Sequence, residues 1–173
     1  MGMDIMGHNP TTKKGEYFRN NVWYWRPMWV WLCDAFPNLV GDDPEMGHYN
    51  DGYGLDWESS VTLSDAIDEA LADGRVLKYE HDFNEAKSQV GMEDCRWCNA
   101  TGIRTDEVGI QSGMPDKELT EEVAIIVGRT HGYCNSCGGY GKVEPFAVNY
   151  HFTEENVREF SEFLRTCGGF GIH

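Results

Sequence analysis

Six cysteines punctuate the chain, at Cys33, Cys95, Cys98, Cys134, Cys137 and Cys167. Four of them form two pairs, Cys95-Arg-Trp-Cys98 and Cys134-Asn-Ser-Cys137, separated by 35 residues. Two thiolates three positions apart can both reach one ion where the backbone between them turns tightly. Two such knuckles supply the closed set of four sulfurs that a structural zinc takes, so one Zn2+ on Cys95, Cys98, Cys134 and Cys137 is expected. A catalytic zinc needs an open coordination position, and four cysteines close it. Two disulfides would require an oxidising compartment, and a thioredoxin-type redox site wants one pair on a βαβ unit. His131, three residues before Cys134, is the one substitute ligand in view. Cys33 and Cys167 read as buried thiols within or at the end of helices.

A second group of polar residues sits in aromatic company. Arg19, Asn20, Asn21, Trp25 and Arg26 run through one aromatic segment; His48, Asn50 and Asp51 lie in a glycine-rich stretch; His131 precedes the second knuckle. Arginine and histidine beside an indole or phenol ring can hold a phosphate while the ring stacks on a base. These residues therefore outline a nucleotide-like ligand site, held by an enzyme or a binding protein. The competing reading makes the tryptophans core, pairs the arginines with carboxylates and uses the asparagines as caps. The chain has no P-loop, G-x-G-x-x-G, H-E-x-x-H, G-x-S-x-G or deaminase H-x-E pattern, so no catalytic residue is assigned.

The glycines that trail each pair carry a resemblance. Cys134-Asn-Ser-Cys137-Gly-Gly-Tyr-Gly141 is a full C-x-x-C-x-G-x-G, and Cys95-Arg-Trp-Cys98-Asn-Ala-Thr-Gly102 differs only in Ala100. This repeat resembles the cysteine-rich zinc module of the DnaJ chaperone family. That module carries four repeats and two zincs; two repeats here imply one zinc. His8-Asn9-Pro10 is not the His-Pro-Asp of a J-domain, so co-chaperone activity does not carry over. Half-modules of this kind occur in small regulators such as anti-TRAP, where the zinc shapes a protein-binding surface. Across most of its length the chain also resembles a group of small bacterial and phage proteins. That likeness is carried by the opening Met-Gly-Met-Asp-Ile-Met-Gly, Gly15-Glu-Tyr-Phe-Arg-Asn-Asn-Val-Trp-Tyr-Trp-Arg-Pro27 and His48-Tyr-Asn-Asp-Gly52. Gly128-Arg-Thr-His-Gly-Tyr-Cys134 and Asn156-Val-Arg-Glu-Phe160 belong to the same pattern. It implies a cytoplasmic accessory protein and supplies no mechanism.

The elements that must position these groups follow from hydrophobic period and punctuation. The first fifteen residues read as turn-rich and irregular. Eight of the 20 residues from Tyr17 to Phe36 are aromatic, and Pro27 suits the first turn of a helix ending near Phe36. Val22 to Arg26 is extended or a separate turn, and Val40 to Trp57 is a long loop. Thr62-Leu-Ser-Asp65 resembles a capping box for a helix that ends at Gly74, with a second helix over about 76–89. A helix of about 116–127 is inserted between the knuckles and stopped by Gly128. Short strands leave the knuckles at 103–105 and 142–144. Thr153 caps a last helix through Thr166, with Val157, Phe160, Phe163 and Leu164 facing inward. The expected fold is an α+β, mostly helical single domain over 1–173, with the zinc-knuckle pair at 95–141 as a small β element.

Composition narrows the partners. The 173 residues carry a formal charge of −15 with 14 basic and 29 acidic side chains, and mean hydropathy is −0.52. Gly41 to Gly74 holds ten acids and no lysine or arginine, whereas the first forty residues come to +1. No basic stripe is present to displace the counterions of a duplex, which argues against direct nucleic-acid binding. No run is apolar enough to span a membrane, and the first residues lack a basic region followed by an apolar stretch. A cytoplasmic, non-enzymatic protein is expected, engaging a protein partner through acidic and aromatic surfaces so as to inhibit or adapt it.

Overall fold

The computed structural model describes residues 2–173. In chain order the elements are β1 (Gly2–Gly7), α1 (Lys13–Glu16), β2 (Tyr17–Asn21), α2 (Val22–Ala35), β3 (Gly54–Leu55), α3 (Trp57–Ala72), α4 (Arg75–Ser88), β4 (Glu93–Asp94), α5 (Glu107–Gln111), α6 (Glu121–Val127), β5 (Lys142–Val143), α7 (Glu154–Thr166) and β6 (Phe170–Ile172). Helices dominate and both sheets are antiparallel, an α+β arrangement. The chain divides into two compact units, one from residues 1–88 and 149–173, the other from 89–148. Among the described residues no helix is long and apolar enough to cross a membrane.

In the larger unit a four-stranded sheet runs in the order β2-β1-β6-β3. Ile5 on β1 pairs with Phe18 on one side and Ile172 on the other. Met3, Ile5, Phe18 and Asn20 are buried while their neighbours are not, which is the period-two alternation of a sheet with one covered face. The first fifteen residues are thus not irregular: Gly2–Gly7 is a strand. Its glycines and methionines signal no strand by themselves, and pairing on both edges supplies the order. Gly15 is buried where a Cβ would strike the backbone of Thr166 and Cys167, so only glycine lets α1 approach the end of α7.

α2 begins five residues earlier than its proline suggests. Asn21 caps it, its side chain accepting from the Trp23 N–H at 3.0 Å, and Pro27 stands inside the helix. Proline has no N–H for the carbonyl four residues back. That carbonyl, of Trp23, instead accepts from the His151 N–H at 2.9 Å, so the helix continues without an orphaned group. Trp25 and Trp29 stack at 5.3 Å, and Trp25 meets Phe160 edge-on at 5.4 Å. Both indoles are fully buried and both N–H groups are satisfied, Trp25 by the Gly47 carbonyl at 2.8 Å and Trp29 by that of Pro44 at 2.7 Å. The stretch read as a long loop therefore contains a 3-10 turn, Pro44–His48, that docks on this core.

α3 also starts early. Asp56 accepts from the Ser59 N–H at 2.8 Å and caps the helix, while Thr62 donates back to the Glu58 carbonyl and opens nothing. Leu63, Ile67 and Ala70 are buried as their spacing requires, and a buried hydroxyl pair, Ser64 and Ser161 at 3.0 Å, sits where α3 packs on α7. Thr153 caps α7 by accepting from the Asn156 N–H, and Val157, Phe160, Phe163 and Leu164 are all buried, as expected. Gly168 and Gly169 then turn the chain into β6.

The smaller unit has little apolar interior. Outside the cysteines, its buried apolar side chains among the described residues are Leu119 and Val123. β5 follows the second knuckle as expected, but its partner is β4, before the first knuckle, and residues 103–105 form no strand. The helix expected over 116–127 is split. Met114–Asp116 is a 3-10 turn and α6 starts only at Glu121, capped by Thr120, with Gly128 in the left-handed region at its end as expected. Between them, Leu119 donates to the Thr130 carbonyl and Gly132 to that of Lys117, so the intervening residues are extended and paired. α5, capped by Asp106, carries too few residues to show a period and is absent from the sequence reading.

Candidate metal centre

The knuckles converge. Cys95, Cys98, Cys134 and Cys137 are all buried, and their four sulfurs lie within 4.8 Å of one another. Cys95 Sγ is 3.9 Å from Cys134 Sγ, and Cys98 Sγ is 3.7 Å from Cys137 Sγ. A disulfide would bring such a pair to about 2.05 Å. A tetrahedron of sulfurs about 2.3 Å from a central ion has edges of about 3.8 Å, so the cluster has the size of a four-thiolate metal site.

Each knuckle aims backbone donors at its own sulfur. Gly102 N–H donates to Cys98 Sγ at 3.2 Å and Gly141 N–H to Cys137 Sγ at the same distance. The two loops are near copies, with Asn99 and Ala100 at φ 49° and 65° answering Gly138 and Gly139 at 64° and 96°. Ala100 therefore adopts a left-handed conformation that its counterpart meets with glycine. Cys95 N–H closes the unit by donating to the Gly141 carbonyl.

Thiol electrostatics match a site suited to a cation. Burial works against ionising Cys95, yet the Trp97 N–H, the Cys98 thiol and N–H and the Ser136 hydroxyl outweigh it and bring this thiol down to about 7. Burial pushes Cys98 up to about 12, with the neighbouring sulfurs of Cys95 and Cys137 adding to the rise. Cys137 is likewise raised by burial. One thiolate is favoured and its neighbours resist following, as like charges in a dry shell must. A divalent cation at the centre would remove that repulsion and let all four ionise.

Two arginines support the knuckles; Arg129 lies in the Gly128–Cys134 segment already marked in the sequence, whereas nothing there distinguished Arg104. Arg129 Nη2 donates to the Gly139 carbonyl at 2.7 Å, holding the second loop. Arg104 is buried and makes a bidentate pair with Asp106 at 2.8 and 2.9 Å, while Nη1 donates to Asn135 at 3.0 Å. Its guanidinium also lies 4.9 Å from the ring of Trp97, and Arg96 lies 5.0 Å from that ring. His131 is not part of the sulfur cluster. It is exposed, bridges Glu118 across the extended pair, and its Nδ1 lies 3.0 Å from the Thr130 hydroxyl.

The remaining candidates belong to the larger unit. Arg19, Asn20 and Asn21 line a pocket of about 400 Å³ with Gly2. Within it Arg19 lies 3.9 Å from Asp4, Asn20 is buried and donates to Asn156 at 2.8 Å, and Asn21 is the α2 cap. Trp25 is sealed in the core, away from any surface. Arg26 is exposed and donates to the Tyr150 hydroxyl at 3.2 Å. His48 is half-buried with its Nδ1 lacking a hydrogen-bond partner, and burial lowers its pKa. Asn50 and Asp51 are exposed, Asn50 donating to the Gly2 carbonyl at 3.3 Å. Cys167 is buried at the end of α7, and burial pushes the half-buried Cys33 thiol up to about 11. The four cysteines thus form a buried cluster of the right size and chemistry for a metal ion such as zinc. No protein-family model, curated protein or solved structure matches the chain.

Proposed function

We propose that this chain is a non-enzymatic binding protein whose smaller unit is stapled by one structural zinc on Cys95, Cys98, Cys134 and Cys137 and docks on a protein partner. The knuckles are built like a single pair from a DnaJ-type module, with four sulfurs that leave no open position for catalysis. One observation carries the docking role. Nine of the fifteen large hydrophobic side chains exposed among the described residues fall within 89–148, the shorter unit. Ile125 is 75% exposed and Ile126 64%, side by side on α6, and Trp97 is exposed on the first knuckle. Such concentration of apolar surface marks interaction sites, with aromatic and aliphatic anchors carrying most of the binding energy. Trp25, Trp29 and Trp31 of α2 cannot serve, because they are core. All ten acids between Gly41 and Gly74 are exposed, and they would steer a basic partner toward the protein.

The role this supports is that of an accessory protein, acting in a compartment that keeps thiols reduced and inhibiting or adapting its partner by occlusion. Affinity capture from the native host, read by mass spectrometry, tests it. A partner retained by the wild-type chain and by Trp57→Glu, whose side chain is exposed in the larger unit, should be lost with Ile125→Glu and on chelation. A partner that survives Ile125→Glu, Ile126→Glu and chelation alike would sink the proposal.

A further inference from the structure

The larger unit is strongly acidic, with twenty carboxylate side chains against nine lysines and arginines. Six of those nine cations make ion pairs: Lys14, Arg19, Arg75, Lys78, Arg158 and Arg165. In such surroundings a cation without a carboxylate is the exception. Among the described residues Lys13, Arg26 and Lys87 have none, and two of these three converge on a single residue. Arg26 donates to the Tyr150 hydroxyl at 3.2 Å, and Lys87 Nζ donates to the Tyr150 carbonyl at 2.9 Å.

The same place is lined with rings. His151 stacks on Tyr24 with centroids 5.0 Å apart, and Trp23 meets Tyr150 edge-on at 5.2 Å. Lys87 Nζ lies 3.3 Å from His151 Nδ1. An ammonium has no acceptor, so Nδ1 accepts and the imidazole carries its proton on Nε2, a further donor. Arg26 is exposed and the others are half-buried, so the cations are accessible but partly desolvated. The arrangement is built into the fold, because the His151 N–H is what satisfies the Trp23 carbonyl left without a donor by Pro27.

We propose that Arg26, Lys87 and His151, with the rings of Trp23, Tyr24 and Tyr150, form a binding site for a nucleoside phosphate. Fixed cations without carboxylate partners select an anion, and an arginine fork favours phosphate. Rings beside those cations select a ligand with a planar group of its own. Arg26 and Lys87 sit at opposite ends of Tyr150, so a ligand that engages both carries its charge over more than one atom, as a polyphosphate does. A long polyanion is excluded, because the acids of the rest of the unit would repel it.

Calorimetric titration of the full zinc-loaded chain with ATP, GTP, CTP, UTP, adenosine and pyrophosphate tests this at low salt. At least one nucleotide should bind with a Kd below about 1 mM, at least roughly tenfold tighter than pyrophosphate or adenosine. Arg26→Gln and Lys87→Met should each weaken it about tenfold or more, and Lys13→Gln should leave it unchanged. Because Lys87 also holds the chain at Tyr150, NMR of the wild-type protein gives a second reading: added nucleotide should shift His151 and the Arg26 Nε–H. The proposal is overturned if no nucleotide binds, if pyrophosphate binds as tightly, if Lys13→Gln weakens binding as much as Arg26→Gln does, or if the shifts fall elsewhere.

Discussion

Stripping the metal from the full chain should unfold residues 89–148 and leave the tryptophan core of the larger unit folded. The magnitude follows from what holds each unit. In 89–148 the buried apolar side chains beyond the cysteines are Leu119 and Val123. Full burial of such a side chain contributes about 1.5–3 kcal/mol, so together they supply roughly 3–6 kcal/mol. A zinc on four thiolates contributes about 10–16 kcal/mol, which exceeds the net stability of many whole domains. The larger unit instead buries Trp25, Trp29, Phe152, Phe160, Phe163 and Phe170 almost completely, in a core that does not include the four clustered cysteines. Hydrogen–deuterium exchange with and without a strong chelator reads both units in one sample. The N–H groups of Cys95, Arg104 and Gly132, bonded to the carbonyls of Gly141, Tyr133 and Lys117, should lose protection on metal removal. Amides inside α3 and α7 should keep theirs. Retained protection across 89–148, in a sample shown to be metal-free, would refute the reasoning.

Ala100→Gly should stabilise the chain by about 0.5–1 kcal/mol, since the relief of a left-handed alanine exceeds the added entropy of the unfolded glycine; thermal unfolding reads the gain. Trp25→Phe should cost at least about 1–3 kcal/mol in chemical denaturation, because it strands the buried Gly47 carbonyl that now accepts from the indole. Asp56 titrates below the ordinary carboxylate range because the Ser59 backbone N–H and hydroxyl bind its ionised form. A depressed folded-state pKa gives stability that is complete above about 3.9 and lost as pH falls through the folded value. Asp56→Asn keeps a capping side chain and removes the titration, so acid unfolding should become shallower below about pH 4 while neutral stability barely moves.

The centre was legible in the sequence because its information is local. Ligand type and spacing define a knuckle without reference to the rest of the chain, and the structure brings together the four predicted cysteines and no histidine. Capped, periodic helices were equally legible, as in α7 with Thr153 and its four inward residues. What was hidden depends on partners far along the chain. β1 is a strand because β2 and β6 flank it, and β6 lies at the other end of the chain. Pro27 read as a helix start because proline lacks a donor, and only the distant His151 N–H makes it tolerable inside α2. Trp25 resembled a ligand platform by its neighbours in sequence, whereas its helical position points it into the core beside Phe160. Arg104 and Arg129 support the knuckles through contacts to Asn135 and Gly139 that no spacing rule encodes.

The most direct measurement is the native mass of the purified chain, paired with the same spectrum for Cys134→Ser. The account predicts one zinc ion per wild-type chain, displacing the thiol protons, and its loss or sharply reduced occupancy in the variant. A wild-type chain that carries no metal under reducing conditions, with Cys95, Cys98, Cys134 and Cys137 open to alkylation, would contradict it.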